Sequence, residues 1–446
     1  MKYNKMKFLL KNLSLLILFV IFSIGVAAQD SLKIDLNEAI KLTLQNNLQV
    51  KRAQFQTDIT SENLKQSRYE ILPNIRGAAS ANRRFGLFFD QITGRLVNDA
   101  DGLNGNFSSS VTLFQGGQLR NQILQNKVTL LADQTNIEKV KNDLTLSVVT
   151  TYLQVLTNRD LITASEQQVA LSNAQLNAEQ RNFDVGNKTL ADLSQVKAQL
   201  ATNELNLTNA KNAYDLSILE LKQLMELNPQ QEITVQTPNI SIQYTHVYRE
   251  GNEVYKKAIE NCPDIKLAQY NSEAFKTAIK VAKGGFYPSI SFGGGLGTSY
   301  SNISPFSFKS QLENNVSKFI GVDLSIPIFN NYRSRSGVNI AKIRYQDALV
   351  TEQLAKNNLN KIINQAVLDL RSAEKRYVST QSSLTSSQDA FEVIKKRYDV
   401  GLANAIELNT SQTNYNKAQF DFIQAKYDLL FRAKVIDFYL GNPINL

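Results

Sequence analysis

The chain has 446 residues, 43% of them hydrophobic and 20% charged, with 49 lysines and arginines against 40 acidic residues, one cysteine and one histidine. The formal charge of +9 is scattered rather than clustered, which excludes the basic footprint of a nucleic-acid binder. One histidine and one cysteine leave little from which to build a metal centre or a thiol-dependent site.

Residues 1–28 predict a cleaved secretory signal peptide, since Lys2, Lys5, Lys7 and Lys11 precede an apolar run from Leu13 to Val26 that ends in Ala27 and Ala28. That run is shorter than the ~20 residues a spanning helix needs. Without those lysines the mature chain, beginning near Gln29, carries about +5. No cysteine stands directly after the segment, so no lipoprotein-type attachment is expected. No later stretch is apolar enough for a transmembrane helix, which leaves an exported chain that is soluble or inserted as a β-barrel.

The first predicted element is a helix from about Leu36 to Glu70, with apolar positions at Ala39, Leu42, Leu48 and Val50, stopped by Pro73. The period then changes from 3.6 to 2, giving strands over Ile75 to Phe89 and Phe107 to Phe114 joined by a polar stretch from Asp90 to Asn106. Gly117 to Phe183 holds no proline, and Val148, Val155, Ile162, Val169, Leu176 and Phe183 recur every seventh residue. This is a coiled-coil ladder on a helix roughly 100 Å long. Its other positions are often Ala, Ser, Thr, Gln or Glu, which predicts shallow packing and solvated polar faces. Asp184-Val185-Gly186-Asn187 closes that helix with a glycine turn, and a second helix runs to about Glu226.

A connector follows, with Pro229, Pro238 and the alternating pairs Ile233-Val235 and Ile240-Ile242, and then the plan repeats. Pro73 returns as Pro288, Phe114 as Phe329 and Gly186 as Gly401, each 215 residues on. The second half therefore predicts a helix from about Asn252 to Ala282, strands Ser289 to Tyr300 and Phe319 to Ile328, a polar loop Ser301 to Ser317, and a long helix Tyr332 to Tyr398. That helix has its own ladder at Ile363, Leu370, Tyr377, Leu384, Phe391 and Tyr398, and a final helix runs to Tyr439. The divisions are 1–28 signal peptide, 29–228 first structural repeat, 229–251 equatorial connector and 252–446 second structural repeat. Four strands of about ten residues match tilted membrane crossings, although a soluble sandwich shares the alternation.

No catalytic constellation is visible, and neither a cofactor nor a metal is expected. His246 reads as an exposed connector residue and Cys262 as part of a helix start. The Gly293–Gly297 run reads as a strand that bends or meets a bulky neighbour, not a phosphate loop. The scattered carboxylates read as solvated helix faces.

The doubled architecture from about Leu36 to Pro443 carries paired turn signatures. These are Arg181-Asn182-Phe183-Asp184-Val185-Gly186 followed by Asp192-Leu193, and Arg397-Tyr398-Asp399-Val400-Gly401 followed by Glu407-Leu408. In this combination the chain resembles the TolC-like outer membrane efflux proteins. The resemblance implies a homotrimer whose protomers contribute four strands each to one twelve-stranded transmembrane β-barrel in outer membrane lipid, continued by a long α-helical periplasmic tunnel. It implies a passive exit duct that docks onto a periplasmic adaptor protein and works with an inner-membrane transporter. Carried onto this chain, the docking tips are Val185, Gly186, Asn187 and Leu190 in one groove and Val400, Gly401, Leu402 and Ala405 in the other. The periplasmic aperture takes Asp192, Tyr398 and Glu407. Ala403 stands where a gating arginine can occur, and Thr410 where a second inward acid can, so fewer charged contacts are expected to tie the closed state. The same fold serves as the exit channel of type I protein secretion, and a structural periplasmic coiled coil is a reading from another class.

Overall fold

Proline placement and the change of period set where this chain turns from helix to strand, and the computed structural model, which describes residues 32–90, 94–237, 250–442 and 444, follows that division. The signal segment and His246 lie outside the described residues. The chain forms two units: residues 49–141 with 250–365, and residues 1–48 with 142–249 and 366–446.

The first of these units holds one antiparallel sheet of β2 (Asn74–Asp90), β3 (Arg95–Gln115), β5 (Ser289–Ser301) and β6 (Ser317–Ser325), ordered β2-β3-β5-β6. Directly paired residues in such a sheet share a face. One face therefore carries the rows Val111–Phe292–Val322, Ile75–Ser109–Gly294–Ile320 and Ala81–Leu103–Tyr300. The opposite face carries Asn74–Ser110–Gly293–Gly321, Thr112–Ser291–Asp323 and Ser80–Asn104–Ser299. The sheet is thus mainly apolar on one side and small or polar on the other, where Phe319 is the exception. Neither is covered: every residue of β6 is exposed, as are Phe107, Ile320, Val322 and Leu324. In the glycine run, a Cβ at Gly295 would collide with the Phe319 ring and the Phe107 carbonyl, so the expected bulky neighbour is present.

β2 keeps close to its expected bounds, but β3 is far longer than the stretch from Phe107 to Phe114 that the sequence suggests, with 21 residues. The stretch expected as a loop, Arg95 to Asn106, is strand. Its polar residues sit on both faces, so it shows no alternation, yet its backbone pairs to β2 at every residue but Asp99, where the register shifts. In the second half the loop contains a short helix, α7 (Phe308–Asn314), capped by Ser307.

Each opening helix is also broken where the sequence suggests continuity. α1 (Leu36–Asn46) and α2 (Leu48–Tyr69) part at Asn47, whose ψ of 131° leaves the helical region and whose side-chain amide donates to the Leu224 carbonyl at 3.0 Å. The repeat breaks α5 (Gly251–Asn261) from α6 (Pro263–Lys283) at Cys262, where the following proline disfavours helical ψ.

In the other unit, β1 (Leu32–Ile34) pairs in parallel with β4 (Ile233–Val235), so the connector joins the first of the described residues in one small sheet. Ile34, Ile233 and Val235 pack with Val148, Tyr152, Leu156, Leu221 and Met225 in one core. The Tyr152 hydroxyl donates to the Gln236 carbonyl at 2.7 Å. The long helices α3 (Gln118–Asp184) and α8 (Arg333–Asp399) have 67 residues each, and both ladders are buried or half-buried at every rung within this unit. α4 (Leu190–Leu224) and α9 (Ala405–Leu440) return from them.

A second heptad on α3 was not expected to be buried. Asn158, Ser165, Ser172 and Glu179 are 5, 1, 0 and 1% exposed, seven residues apart, which corrects the reading of these polar positions as solvated. Asn203 of α4 and Gln412 of α9 donate to the Ser172 hydroxyl at 2.7 and 3.4 Å, and Gln168 reaches Gln419 at 3.4 Å. Among the described residues, seven of the eight buried side-chain atoms without a partner belong to this seam, on Ser165, Gln168, Gln175, Glu179, Asn409, Gln412 and Asn416. Such groups are what ordered water satisfies.

Candidate functional site

The two glycine turns are built identically. After α3 the Gly186 and Asn187 amides donate back to Phe183 and Asn182 at 2.9 and 2.8 Å; after α8 the Gly401 and Leu402 amides donate to Tyr398 and Arg397 at 3.0 and 2.7 Å. This double bond closes a helix through a left-handed residue, and φ is +78° at Gly186 and +77° at Gly401. The turns lift apolar side chains into solvent: Val185, Leu190, Val400 and Leu402 are 65–70% exposed. Ala405 departs from its expected docking role. It is 5% exposed, packed under the first turn of α9, and the neighbouring Ile406, which the sequence reading missed, is 72% exposed instead.

The turns are brought together. Asn187, Tyr398, Val400 and Gly401 line one open groove of about 600 Å³ with Glu179, Arg181, Lys188 and Lys395. At its floor the Tyr398 hydroxyl donates to Glu179 Oε2 at 2.6 Å, joining α8 to α3, while Glu179 Oε1 has no partner. Burial, then the hydrogen bond to Glu179 and its charge, hold the Tyr398 hydroxyl well above the usual phenol range, so it stays a donor. The Lys188 ammonium lies 4.1 Å from the centre of the Tyr398 ring. Glu179 was missed because a single carboxylate in a polar helix looks solvated; its place in the 158-165-172 heptad is the signal that could have found it.

Asp192 and Glu407 do not line that groove. Each is the third residue of its helix and belongs to its cap. Asp192 accepts from the Thr189 hydroxyl at 2.7 Å and the Thr189 amide at 3.1 Å, and Thr189 accepts from the Asp192 amide in return. The hydroxyl bond, then the amide bond, hold the Asp192 carboxyl below the usual carboxylate range. A lowered folded pKa adds stability above the unfolded value that is lost as pH falls through the folded one. Thr189→Ala should therefore destabilise by about 1 kcal/mol at pH 7. The difference from the unsubstituted protein should shrink below about pH 4, read by thermal unfolding at both pH values.

Glu407 has a comparable cap, its backbone amide donating to Asn404 Oδ1 at 2.8 Å and its carboxylate accepting from Asn404 Nδ2 at 3.0 Å. It also has a counter-charge, Arg397 Nη1 at 3.9 Å, half-exposed like Glu407 itself. No group of histidine, cysteine and carboxylate residues that could hold a metal occurs among the described residues, nor does a helix long and apolar enough to cross a membrane.

The chain matches the outer membrane efflux protein family twice, over residues 39–226 and 254–442. It is 22% identical over 405 residues to the outer membrane efflux protein BepC of Brucella suis, covering 91% of this chain and 85% of the relative. It is 21% identical over 405 residues to the outer membrane protein TolC of Salmonella enteritidis, covering 89% and 80%. The solved CmeC outer membrane channel of Campylobacter jejuni superposes with a TM-score of 0.79 at 21% identity, over 91% of this chain and 85% of that one, a likeness of fold.

Proposed function

The chain belongs to the outer membrane efflux protein family, and from that membership we propose that it is the passive exit duct of a tripartite efflux system, closed from three copies and docked to a periplasmic adaptor through its two glycine turns. It is an outer membrane protein of an efflux class; the trimer, the adaptor, the inner-membrane transporter that supplies the energy and small-molecule cargo are the finer reading. The repeats 29–228 and 252–446, with the connector 229–251 between them, enclose the two family matches and support that division.

The observation that carries the reading is the sheet. Four strands with an apolar face, a small polar face and two open edges cannot rest in lipid, because unpaired edge amides and carbonyls have no water to bond there. Three copies give twelve strands and a wet lumen lined by the Asn, Ser and Gly rows. Detergent-extracted protein should run as a trimer by native mass measurement. A stable monomer in detergent would sink the reading.

Three Glu407 carboxylates around the periplasmic aperture would favour cations. Arg397, 3.9 Å away, offsets part of that charge. In planar bilayers the trimer should prefer cations, Glu407→Gln should weaken the preference, Asp192→Asn should weaken it less, and Arg397→Gln should strengthen it. Reversal potentials unmoved by Glu407→Gln and Arg397→Gln would place both outside the conducting path.

A further inference from the structure

The upper end of the sheet is unfinished. β3 stays paired to β2 up to Arg95, but its pairing with β5 stops at Gly102, opposite Ser301. Residues 83–90 and 95–101 are therefore a two-stranded ribbon whose bonding to the third strand's end stops where Asn302 meets Asp101, and such ribbons are marginal in water unless something covers them. This one exposes Phe85, Leu87, Phe89 and Leu96 by 60–75%. It also carries Arg83, Asp90, Arg95 and Asp101, charges that do not suit the lipid face of a barrel.

The other edge of the sheet is finished in a different way. β6 pairs with β5 only up to Ser317, opposite Gly297, and above that point α7 takes the place of a strand. The Gln311 amide side chain accepts from the Ser301 amide at 2.9 Å and donates to the Ser301 carbonyl at 3.0 Å. Asn315 donates to the Ser299 carbonyl at 2.7 Å, and Phe308 meets the Tyr300 ring edge-on at 5.0 Å. The loop before α7 leaves Phe306 66% exposed.

Closing a barrel from copies of this sheet sets β2 of one copy beside β6 of the next. β2 has 17 residues and β6 has 9, so the upper part of β2 runs past the end of β6. What stands above β6 on that neighbour is α7 and its loop. We propose that the ribbon of each protomer clasps the α7 loop of its neighbour, burying Phe85, Leu87 and Phe89 against Phe306 and Phe308. The clasp fastens the outer rim of the duct without adding strand pairs, since Gln311 and Asn315 already occupy the β5 edge. This inference rests on the trimeric reading above.

Leu87→Cys combined with Phe306→Cys, in a chain whose one native cysteine is replaced by Cys262→Ser, tests it directly. Mild oxidation of isolated membranes should give covalently linked dimers and trimers with the pair and with neither single variant. Trimers by native mass with no cross-linking from this pair or from Phe89→Cys with Phe308→Cys would overturn the clasp and leave the duct intact. Self-linking of Leu87→Cys alone would also overturn it, placing the ribbons against one another across the mouth. Loss of the trimer in the Cys262→Ser parent and the unsubstituted protein alike would instead remove the reading on which the clasp rests. Replacing Phe85, Leu87, Phe89 and Leu96 together by serine should lower the temperature at which trimers dissociate, and an unchanged temperature counts against the clasp.

Discussion

Gly401→Asp will abolish export while trimers still assemble, and Gly186→Asp will do the same. Both glycines sit at φ near +77°, where a side chain is strained by roughly 1–2 kcal/mol, aspartate less than most. No steric cost is added at the Cβ, which meets nothing within 4 Å at either position. A fold of ordinary stability, about 5–15 kcal/mol, survives that strain. The tip surface is changed far more. An aspartate places a charge among Val400, Leu402 and Ile406, or beside Val185 and Leu190, which form the exposed apolar ground on which a partner would settle. Gly401→Ala separates the two effects, adding the strain without the charge, and should retain part of the activity. Drug susceptibility of cells carrying each variant is the readout, with trimer content measured alongside. Wild-type export by both aspartate variants would detach the tips from docking.

Tyr398→Phe will raise the conductance of the purified duct and lower its thermal midpoint. The substitution removes the one hydrogen bond found on the Glu179 carboxylate, which is 1% exposed and has its second oxygen already unpartnered. Leaving such a group without a donor costs about 1–3 kcal/mol, more for a charge. That cost falls on the α3–α8 contact at the floor of the groove, so the groove loosens. Glu179→Gln keeps an oxygen for Tyr398 to donate to and should have the smaller effect. Because the folded pKa of Tyr398 is raised, the tie is fully present below the unfolded phenol value of about 10 and is lost only as pH climbs through the higher folded value. Conductance and midpoint that match the unsubstituted protein would show that the bond ties nothing.

Much of this fold was legible in the chain because it is written twice. The constant 215-residue offset anticipates two helices of 67 residues that start and stop in step, and the glycine turns announce the reversals. Legibility ended where one residue or a partner decides. The breaks at Asn47 and Cys262 are single values of ψ, and the strand from Arg95 to Asn106 has polar side chains on both faces, so only its backbone pairing reveals it. Leu190 and Ala405 occupy equivalent positions, yet one is exposed and the other buried, which depends on what packs over each first turn. Glu179 was misread because a lone carboxylate reads as solvated; only its heptad spacing from Asn158, Ser165 and Ser172 sets it on the face that the surrounding helices bury.

A chain that has copied itself must also tell its copies apart. α9 meets α8 through the stacked rings of Phe391 and Tyr415 and the Arg432–Asp369 pair, and meets α3 through the amides of the seam. At the positions of Asn158, Ser165, Gln168, Ser172, Gln175 and Glu179, α8 has Ala373, Thr380, Ser383, Ser387, Ala390 and Ile394. The long amides and the acid occur on one copy alone. They act as an address that Gln412 and Gln419 bond on α3 and that α8 does not carry. An apolar seam would pack more tightly, and it would lose the means of saying which rod is which.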